Sequence, residues 1–155
     1  MTTQQKISFK SKLKHFSEAL IQQRIEAVRS SMDDAQKAAN NEEKSSAGDK
    51  YETSRAMNHL EKDMQARQLA ENLKELANLH TVDVGTIYSK GIAGAFIQCE
   101  DVSFFVVAGL GRQIIESGTI YFLSPNAPLA RILQDKKVGD SFLFNTVQRN
   151  ILDLY

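Results

Sequence analysis

The chain has 155 residues with 19 basic and 19 acidic side chains, so its formal net charge is zero. That balance gives no sign of a general nucleic-acid or membrane binder, and no apolar stretch approaches the roughly 20 residues of a membrane span. The polar first 14 residues predict no secretory signal. A single cysteine, Cys99, excludes an internal disulfide and the usual cysteine-based zinc sites. These features predict a cytoplasmic protein.

The composition changes sharply near Leu79. Up to that residue the chain has no proline and one glycine, Gly48, and it is dense in good helix formers. After His80 come seven glycines, both prolines and many β-branched and aromatic residues, which are typical of strands and turns. The sequence therefore predicts a helical domain over residues 1–80 and a β-rich domain over residues 81–155.

The first domain reads as two amphipathic helices that form an antiparallel hairpin, close to a coiled coil. The apolar stripe lapses between Asn40 and Gly48, which predicts a reversal with its apex near Ser46 and a tip near residues 45–52. Antiparallel pairing matches Met32 with Leu60. A helical arm from Leu13 to Ser46 would be on the order of 50 Å long. The predicted seam consists of Leu13, Phe16, Leu20, Ile25, Val28, Met32 and Ala35 against Met57, Leu60, Met64, Leu69, Leu73 and Leu76.

The second domain alternates apolar runs with turn residues, which predicts an antiparallel sheet around one short helix. The helix is predicted over 127–133, with Pro128 in its first turn, where a missing N–H costs little. Together with the hairpin this gives the α+β class. The predicted strands are 82–88, 95–99, 103–107, 119–123, 141–144 and 151–155.

The segment from Pro128 to Asp140, Pro-Leu-Ala-Arg-Ile-Leu-Gln-Asp-Lys-Lys-Val-Gly-Asp, resembles the carboxy-terminal signature of the Gre transcript-cleavage factors. Those typically read Ser-Pro-Ile-Ala-Arg-Ala-Leu, then two residues, then Lys-Lys-Val-Gly-Asp. The resemblance implies a helical hairpin followed by an FKBP-like β-rich domain that docks on bacterial RNA polymerase. It also implies a monomeric transcription elongation factor whose tip enters the secondary channel of the polymerase.

A second motif lies at the predicted apex. Gly48-Asp49-Lys50-Tyr51-Glu52-Thr53 is similar to the Gly-Asp-Leu-Ser-Glu-Asn of the Gre family. The resemblance implies that Asp49 and Glu52 hold a Mg²⁺ ion shared with the polymerase, and that the polymerase's own centre then cleaves a backtracked transcript. On this view the protein binds no cofactor alone and is not itself an enzyme. Lys50 and Tyr51 replace Leu-Ser, which puts cleavage in doubt more than the fold.

The spacing of the two acids supports two interpretations. Residues three apart on a helix share a face, so both carboxylates can present oxygens to one Mg²⁺ ion. Asp-x-x-Glu at a helix start is also a capping box, with Asp49 as the N-cap and Glu52 at the third helical position. The two roles need not exclude each other.

Basic and aromatic residues supply candidate partner contacts. Lys50 and Tyr51 at the tip are placed to meet the 3′ end of the transcript or the polymerase. Arg131, Lys136 and Lys137 are either contacts to the polymerase rim or residues that keep the fold. A further basic cluster, Lys6, Lys10, Lys12 and Lys14, faces the polymerase or RNA, or is simply a solvated helix end.

Three functions from different classes follow. The first is a stimulator of transcript cleavage that uses Asp49 and Glu52. The second is a Gre-like regulator that occupies the same channel without supporting cleavage, which Lys50 and Tyr51 favour. The third is a peptidyl-prolyl isomerase, suggested only by the FKBP-like fold and disfavoured by the absence of tryptophan.

Overall fold

The computed structural model describes the backbone of residues 1–44 and 48–155, and the side chains of these residues except 42–44 and 48–51. Two long helices in contact precede a small, mostly antiparallel sheet and a short helix, which confirms the predicted α+β class. Helix α1 spans Thr3–Lys44 and α2 spans Gly48–Thr81. The predicted apex at Ser46 lies outside the described residues. Within the described ranges, no helix is both long and apolar enough to cross a membrane.

Helix α1 begins with a capping box. The backbone N–H of Gln5 donates to Thr2 Oγ1 at 3.2 Å, and the backbone N–H of Thr2 donates to Gln5 Oε1 at 2.8 Å. Two donors of the helix end are thereby satisfied. Farther along the helix, Leu13, Ile21 and Ile25 are buried. Leu13 and Ile25 were predicted in the seam, whereas Ile21 takes the fully buried position expected next door at Leu20.

The inward face of α2 differs from the prediction by one residue over much of its length. Met57, Leu60 and Met64 are 65, 66 and 64% exposed, so their predicted place in the seam is wrong. Gln65, directly after Met64, is buried instead. One residue turns a helix by about 100°, so this offset is enough to move a whole stripe from the seam to the solvent. Towards the end of α2, Leu69 and Leu76 are half-buried and Leu79 is buried, close to the expected pattern.

The second half contains seven strands and one helix. Helix α3 spans Pro128–Leu133, with Pro128 in its first turn as predicted. The strands are β1 Phe96–Gln98, β2 Ser103–Val106, β3 Gly111–Ile115, β4 Gly118–Leu123, β5 Ser141–Phe144, β6 Val147–Asn150 and β7 Asp153–Leu154.

The predicted strand over 82–88 is wrong. Val82 and Val84 are buried and alternate with exposed neighbours, which explains the strand-like pattern. The carboxylate of Asp83 accepts hydrogen bonds from the backbone N–H of Gly85, at 2.8 Å, and from the hydroxyl of Thr86. This local bonding bends the chain into a loop, because an Asp side chain offers the backbone an alternative to a sheet ladder.

Strands β3 and β6 were not predicted, and both follow or precede two-residue hairpins with uncommon turn residues. Glu116 and Ser117 join β3 to β4 with φ of 50° and 68°, and Asn145 and Thr146 join β5 to β6 with φ of 51° and 64°. Two successive residues with positive φ define the type I′ hairpin, which usually carries Asn-Gly or Asp-Gly. Neither turn contains glycine, so the usual sequence signal is missing.

Five strands form one sheet in the order β3-β4-β2-β1-β7, and β5 and β6 form a second, two-stranded sheet. All pairs are antiparallel except β2 with β4, which run parallel with Ser103 opposite Ile120. The sequence did not predict this parallel pair. It requires the chain to pass through β3 and return to the side of β2.

Both faces of the larger sheet are covered, which explains the uninterrupted burial of Phe104 to Ala108. On one face, Ile97, Phe104 and Leu133 belong to a core shared with α3 and β5. The other face meets the first part of α1. There the rings of Phe9 and Phe96 have centroids 5.2 Å apart, and those of Phe16 and Phe122 have centroids 5.7 Å apart.

The described chain divides into two compact units. The first, called here the sheet unit, comprises Met1–Glu18 and Asn78–Tyr155. The second, called here the helical unit, comprises Ala19–Ala77. Helix α1 therefore contributes its first turns to the packing of the sheet unit and the rest to the helical unit.

Candidate functional site

The acidic motif lies in the first turns of α2. The helix begins at Gly48, so Asp49 lies inside the first turn and not ahead of it, where the N-cap of a capping box would stand. Glu52, three residues on, is exposed to solvent. The side chains of Asp49, Lys50 and Tyr51 lie outside the described residues. Positions 49 and 52 share one helix and a spacing that places them on the same side of it.

Metal coordination by the described residues alone finds no support. No group of three or more His, Cys, Asp or Glu side chains that could hold a metal ion occurs among the residues whose side chains are described. The exposed carboxylate of Glu52 is the kind of hard oxygen ligand that Mg²⁺ prefers, and Mg²⁺ is commonly held by one or two protein carboxylates plus ligands from elsewhere. The chemistry of this donor fits a shared ion.

The carboxy-terminal motif, Pro128 to Asp140, includes α3, and several of its residues have a clear role in the fold. Ala130 and Leu133 are buried in the core, and Gly139 adopts φ of 92°, a backbone conformation that glycine favours. The carboxylate of Asp140 accepts the backbone N–H of Lys137 at 3.0 Å. The motif thus specifies a helix, a turn and the entry into β5.

Arg131, Lys136 and Lys137 belong to this same corner of the sheet unit. Arg131 and Lys137 are exposed, and Lys136 is half-buried. The carbonyl oxygen of Lys136 accepts the backbone N–H of Gly91 at 3.2 Å, which brings the loop containing Lys90 to the same place. Arg131 and Lys137 therefore present cationic side chains at the surface of the sheet unit.

The amino-terminal lysines act within the sheet unit. Lys6 forms an ion pair with Asp153 at 2.8 Å, and Lys12 forms one with Glu116. Lys14 donates to the carbonyl oxygen of Val82 at 2.8 Å. The basic cluster that was a candidate for contacts with RNA or polymerase is therefore engaged in intramolecular contacts. These contacts hold the first turns of α1 against the rest of the sheet unit.

Lys10 is the most unusual of these lysines because its side chain is completely buried. Its Nζ donates to the carbonyl oxygens of Thr86, at 2.7 Å, and Gly94, at 3.0 Å, and lies 4.8 Å from the ring centroid of Tyr88. Burial lowers the pKa of Lys10 to about 8, against the opposing attraction of Asp83. No local pattern predicts this cluster, because Lys10 and Gly94 are far apart in the chain.

The loop from Asp83 to Gly94, which contacts Lys10, is closely packed. The hydroxyl of Tyr88 donates to the carbonyl oxygen of Asp83 at 2.9 Å. A β-carbon at Gly94, whose φ is 93°, would lie 2.2 Å from that same oxygen. The hydrogen bonds from Thr86 and Gly85 lower the pKa of Asp83, so the carboxylate stays charged beside Lys10. The arrangement anchors α1 and leaves Lys10 without a path to a substrate.

An open cleft of about 360 Å³ lies elsewhere in the sheet unit. Aromatic side chains of Phe9, Phe96 and Tyr155 line it together with the thiol of Cys99. Burial raises the pKa of Cys99 to about 11, so the group is a thiol near neutral pH and not the thiolate that acts as a nucleophile. The cleft therefore offers no nucleophilic centre.

No protein-family model matches the chain, and searches of the curated proteins and of the solved structures found no significant match.

Proposed function

We propose that this protein is a Gre-like elongation factor that inserts the reversal between α1 and α2 into the secondary channel of bacterial RNA polymerase. The observation that carries the proposal is the acidic pair of positions, 49 and 52, in the first turns of α2. Two long helices in contact with each other, followed in the chain by a small, mostly antiparallel sheet, support the proposal. The exposed cations near α3 supply a docking surface on the sheet unit.

In this proposal Asp49 and Glu52 supply carboxylate oxygens to a Mg²⁺ ion shared with the polymerase. Such an ion supplies charge neutralisation and activation of water for phosphodiester hydrolysis. The carboxylates of this chain would position the Mg²⁺ ion and partly balance its charge, while the polymerase contributes the catalytic centre. In the same proposal, Lys50 and Tyr51 contact the 3′ end of the backtracked transcript, and Arg131, Lys136 and Lys137 contact the polymerase surface.

Transcript cleavage tests the proposal. A stalled, backtracked elongation complex is mixed with the protein and Mg²⁺, and release of short 3′ RNA fragments is measured. We expect Asp49→Ala and Glu52→Gln each to abolish cleavage without weakening binding to the polymerase. Glu71→Gln changes an exposed carboxylate far along the same helix and should leave cleavage unchanged. Equal cleavage by Glu52→Gln and Glu71→Gln would exclude the role of the acidic pair.

A second candidate function rests on the residues between the two acids. Lys50 and Tyr51 stand where the Gre motif has Leu-Ser, and they add a cation and a bulky ring beside the carboxylates. These residues favour a factor that occupies the channel and slows RNA synthesis without promoting cleavage. The double variant Lys50→Leu/Tyr51→Ser distinguishes the two functions. A gain of cleavage in this variant supports the inhibitory function for the natural chain, whereas cleavage already present and unchanged excludes it.

A further inference from the structure

Helix α2 carries two apolar stripes that do not share a face. Towards its end, Leu69, Leu76 and Leu79 are half-buried or buried. Nearer the reversal, the stripe of Met57, Leu60 and Met64, called here the methionine ridge, is about two-thirds exposed. The step from Met64 to Leu69 is five residues, one more than the three or four that keep side chains on one side of a helix. A regular helix can bury only one of these stripes.

Polar side chains occupy the inward positions beside the methionine ridge. Ser54 and Asn58 are half-buried, and Gln65 is only 8% exposed. The amide nitrogen of Gln65 lies 3.4 Å from Glu61 Oε1, but its buried oxygen has no hydrogen-bond partner. Leaving a buried polar atom unpaired is unfavourable. Each of the two buried or half-buried amides, Asn58 and Gln65, directly follows an exposed methionine.

The corresponding part of α1 is apolar but incompletely covered. Val28, Met32 and Ala35 remain half-buried, although they belong to the stripe that the sequence places in the seam. Apolar side chains in such positions gain stability when further apolar surface covers them. The same helical unit therefore contains incompletely covered apolar surface on α1, an exposed apolar ridge on α2 and a buried amide oxygen of Gln65 without a partner.

We infer that residues 52–65 of α2 rotate by about one residue, about 100°, between two packed states. One is the state described above, with Asn58 and Gln65 inward. In the other, Met57, Leu60 and Met64 enter the seam, and both amides reach solvent. A π-bulge between Met64 and Leu69 absorbs the extra residue, because an i→i+5 hydrogen bond accommodates one additional residue in a helix. Leu69, Leu76 and Leu79 keep their places.

Opposing contributions to the free energy act on the rotation. Rotation buries three large apolar side chains and hydrates the unpaired oxygen of Gln65, and both changes are favourable. The π-bulge interrupts the regular hydrogen bonding of α2, which is unfavourable. The rotation itself involves only residues of the helical unit. Its consequence, that Glu52 is aimed in a different direction in each state, rests on the proposed function and would make the rotation a switch between cleaving and non-cleaving forms.

Cross-linking tests the rotation without any polymerase. In a Cys99→Ser background, Val28→Cys is combined with either Gln65→Cys or Met64→Cys. The control combines Val28→Cys with Ala66→Cys, because Ala66 lies at the same level of α2 but faces the seam in neither state. We expect a short thiol-to-thiol reagent to cross-link the first two pairs and not the control. Adding Asn58→Leu stabilises the state in which positions 58 and 65 face inward. It should slow cross-linking of the Met64→Cys pair by about fivefold or more, while cross-linking of the Gln65→Cys pair stays fast.

The rotation is overturned if the Met64 pair reacts no faster than the Ala66 control, or if Asn58→Leu has no effect on it. NMR of the methionine methyl groups needs no paired cysteines and uses the unaltered chain, which has four methionines. We expect two sets of signals, or exchange broadening, for Met57 and Met64 that Asn58→Leu removes. Single sharp signals that Asn58→Leu leaves unchanged would also overturn the rotation. Because neither measurement involves transcription, a failed cleavage assay and a failed rotation remain distinguishable.

Discussion

The sheet unit and the helical unit bury their residues in different ways. In the sheet unit, strands are covered on both faces by aromatic and aliphatic side chains, and its one fully buried cation, Lys10, donates to two carbonyl oxygens. In the helical unit, the seam includes Ser54, Asn58 and Gln65, and a buried amide oxygen lacks a partner. The sheet unit also holds a buried nitrogen without a partner, Nε of Arg149, so the two units differ in the polarity of their packed faces and not only in unpaired atoms. The polar seam of the helical unit is the feature that the inferred rotation would relieve.

The largest effect is expected from truncation in the core of the sheet unit. Phe104 is completely buried, and its ring lies 5.0 and 5.4 Å, between centroids, from those of Phe144 and Phe142. Phe104→Ala should lower the free energy of unfolding by about 3–5 kcal/mol, because it leaves a cavity. Met64→Ala in the helical unit is the control and should change it by less than about 0.5 kcal/mol. Urea denaturation measures both, and similar losses would contradict the comparison.

The next effect concerns backbone geometry near Lys10. Gly94 and Gly111 both have positive φ, but only at Gly94 would a β-carbon meet another atom, the Asp83 oxygen at 2.2 Å. Gly111→Ala should cost about 1–2 kcal/mol from backbone strain alone. Gly94→Ala should cost about 1–3 kcal/mol more, because the loop must also move aside. Thermal denaturation of the two variants tests the difference, and equal midpoints would show that the loop yields freely.

In the helical unit we expect a substitution of the opposite sign. Gln65→Leu removes an amide whose buried oxygen is unpaired and supplies apolar surface to the seam. It should raise the free energy of unfolding by about 1 kcal/mol. Gln68→Leu, on an exposed position of the same helix, is the control for helix propensity and should have little effect. A loss of stability in Gln65→Leu would mean that the amide is satisfied in solution.

The smallest effect is a pH dependence from Lys10. Its pKa falls from the usual 10.5 to about 8 on folding, so above pH 8 the unfolded chain binds more protons at this site than the folded chain. Stability from this group therefore rises with pH, by about 1 kcal/mol between about pH 7 and pH 9. Lys10→Met should lose this rise while being less stable at every pH, because two carbonyl oxygens lose their donor.

Cys99 sets the highest pH at which the effect of Lys10 can be measured separately. Burial raises its pKa from 9.0 to about 11, so above pH 9 the folded chain keeps a proton that the unfolded chain releases, and stability falls. Denaturation curves for the natural chain and Lys10→Met, measured side by side up to pH 9, isolate the lysine. A rise of the same size in both proteins would assign the pH dependence to another group.

Local signals predicted much of the fold because they reflect short-range chemistry. The change from helix formers to glycine and β-branched residues near Leu79 matches the end of α2 at Thr81. Pro128 and Gly139 mark the start of α3 and a turn before β5. The acidic positions 49 and 52 were identified from a motif, and their metal chemistry stays a prediction. Sequence patterns do not predict the hairpin turns at Glu116-Ser117 and Asn145-Thr146, because neither turn contains the glycine that usually marks positive φ values.

The amino-acid sequence alone was enough to predict the two long helices, the α+β class and the position of the acidic motif, because these depend on residues close together in the chain. It was not enough to predict which face of α2 is buried, that β2 pairs with β4 in parallel, or that Lys10 packs against the loop of Asp83 and Gly94. Those outcomes depend on contacts between distant segments. A one-residue rotation of a helix, or the burial of one charge, is a small difference that only the packed neighbours can settle.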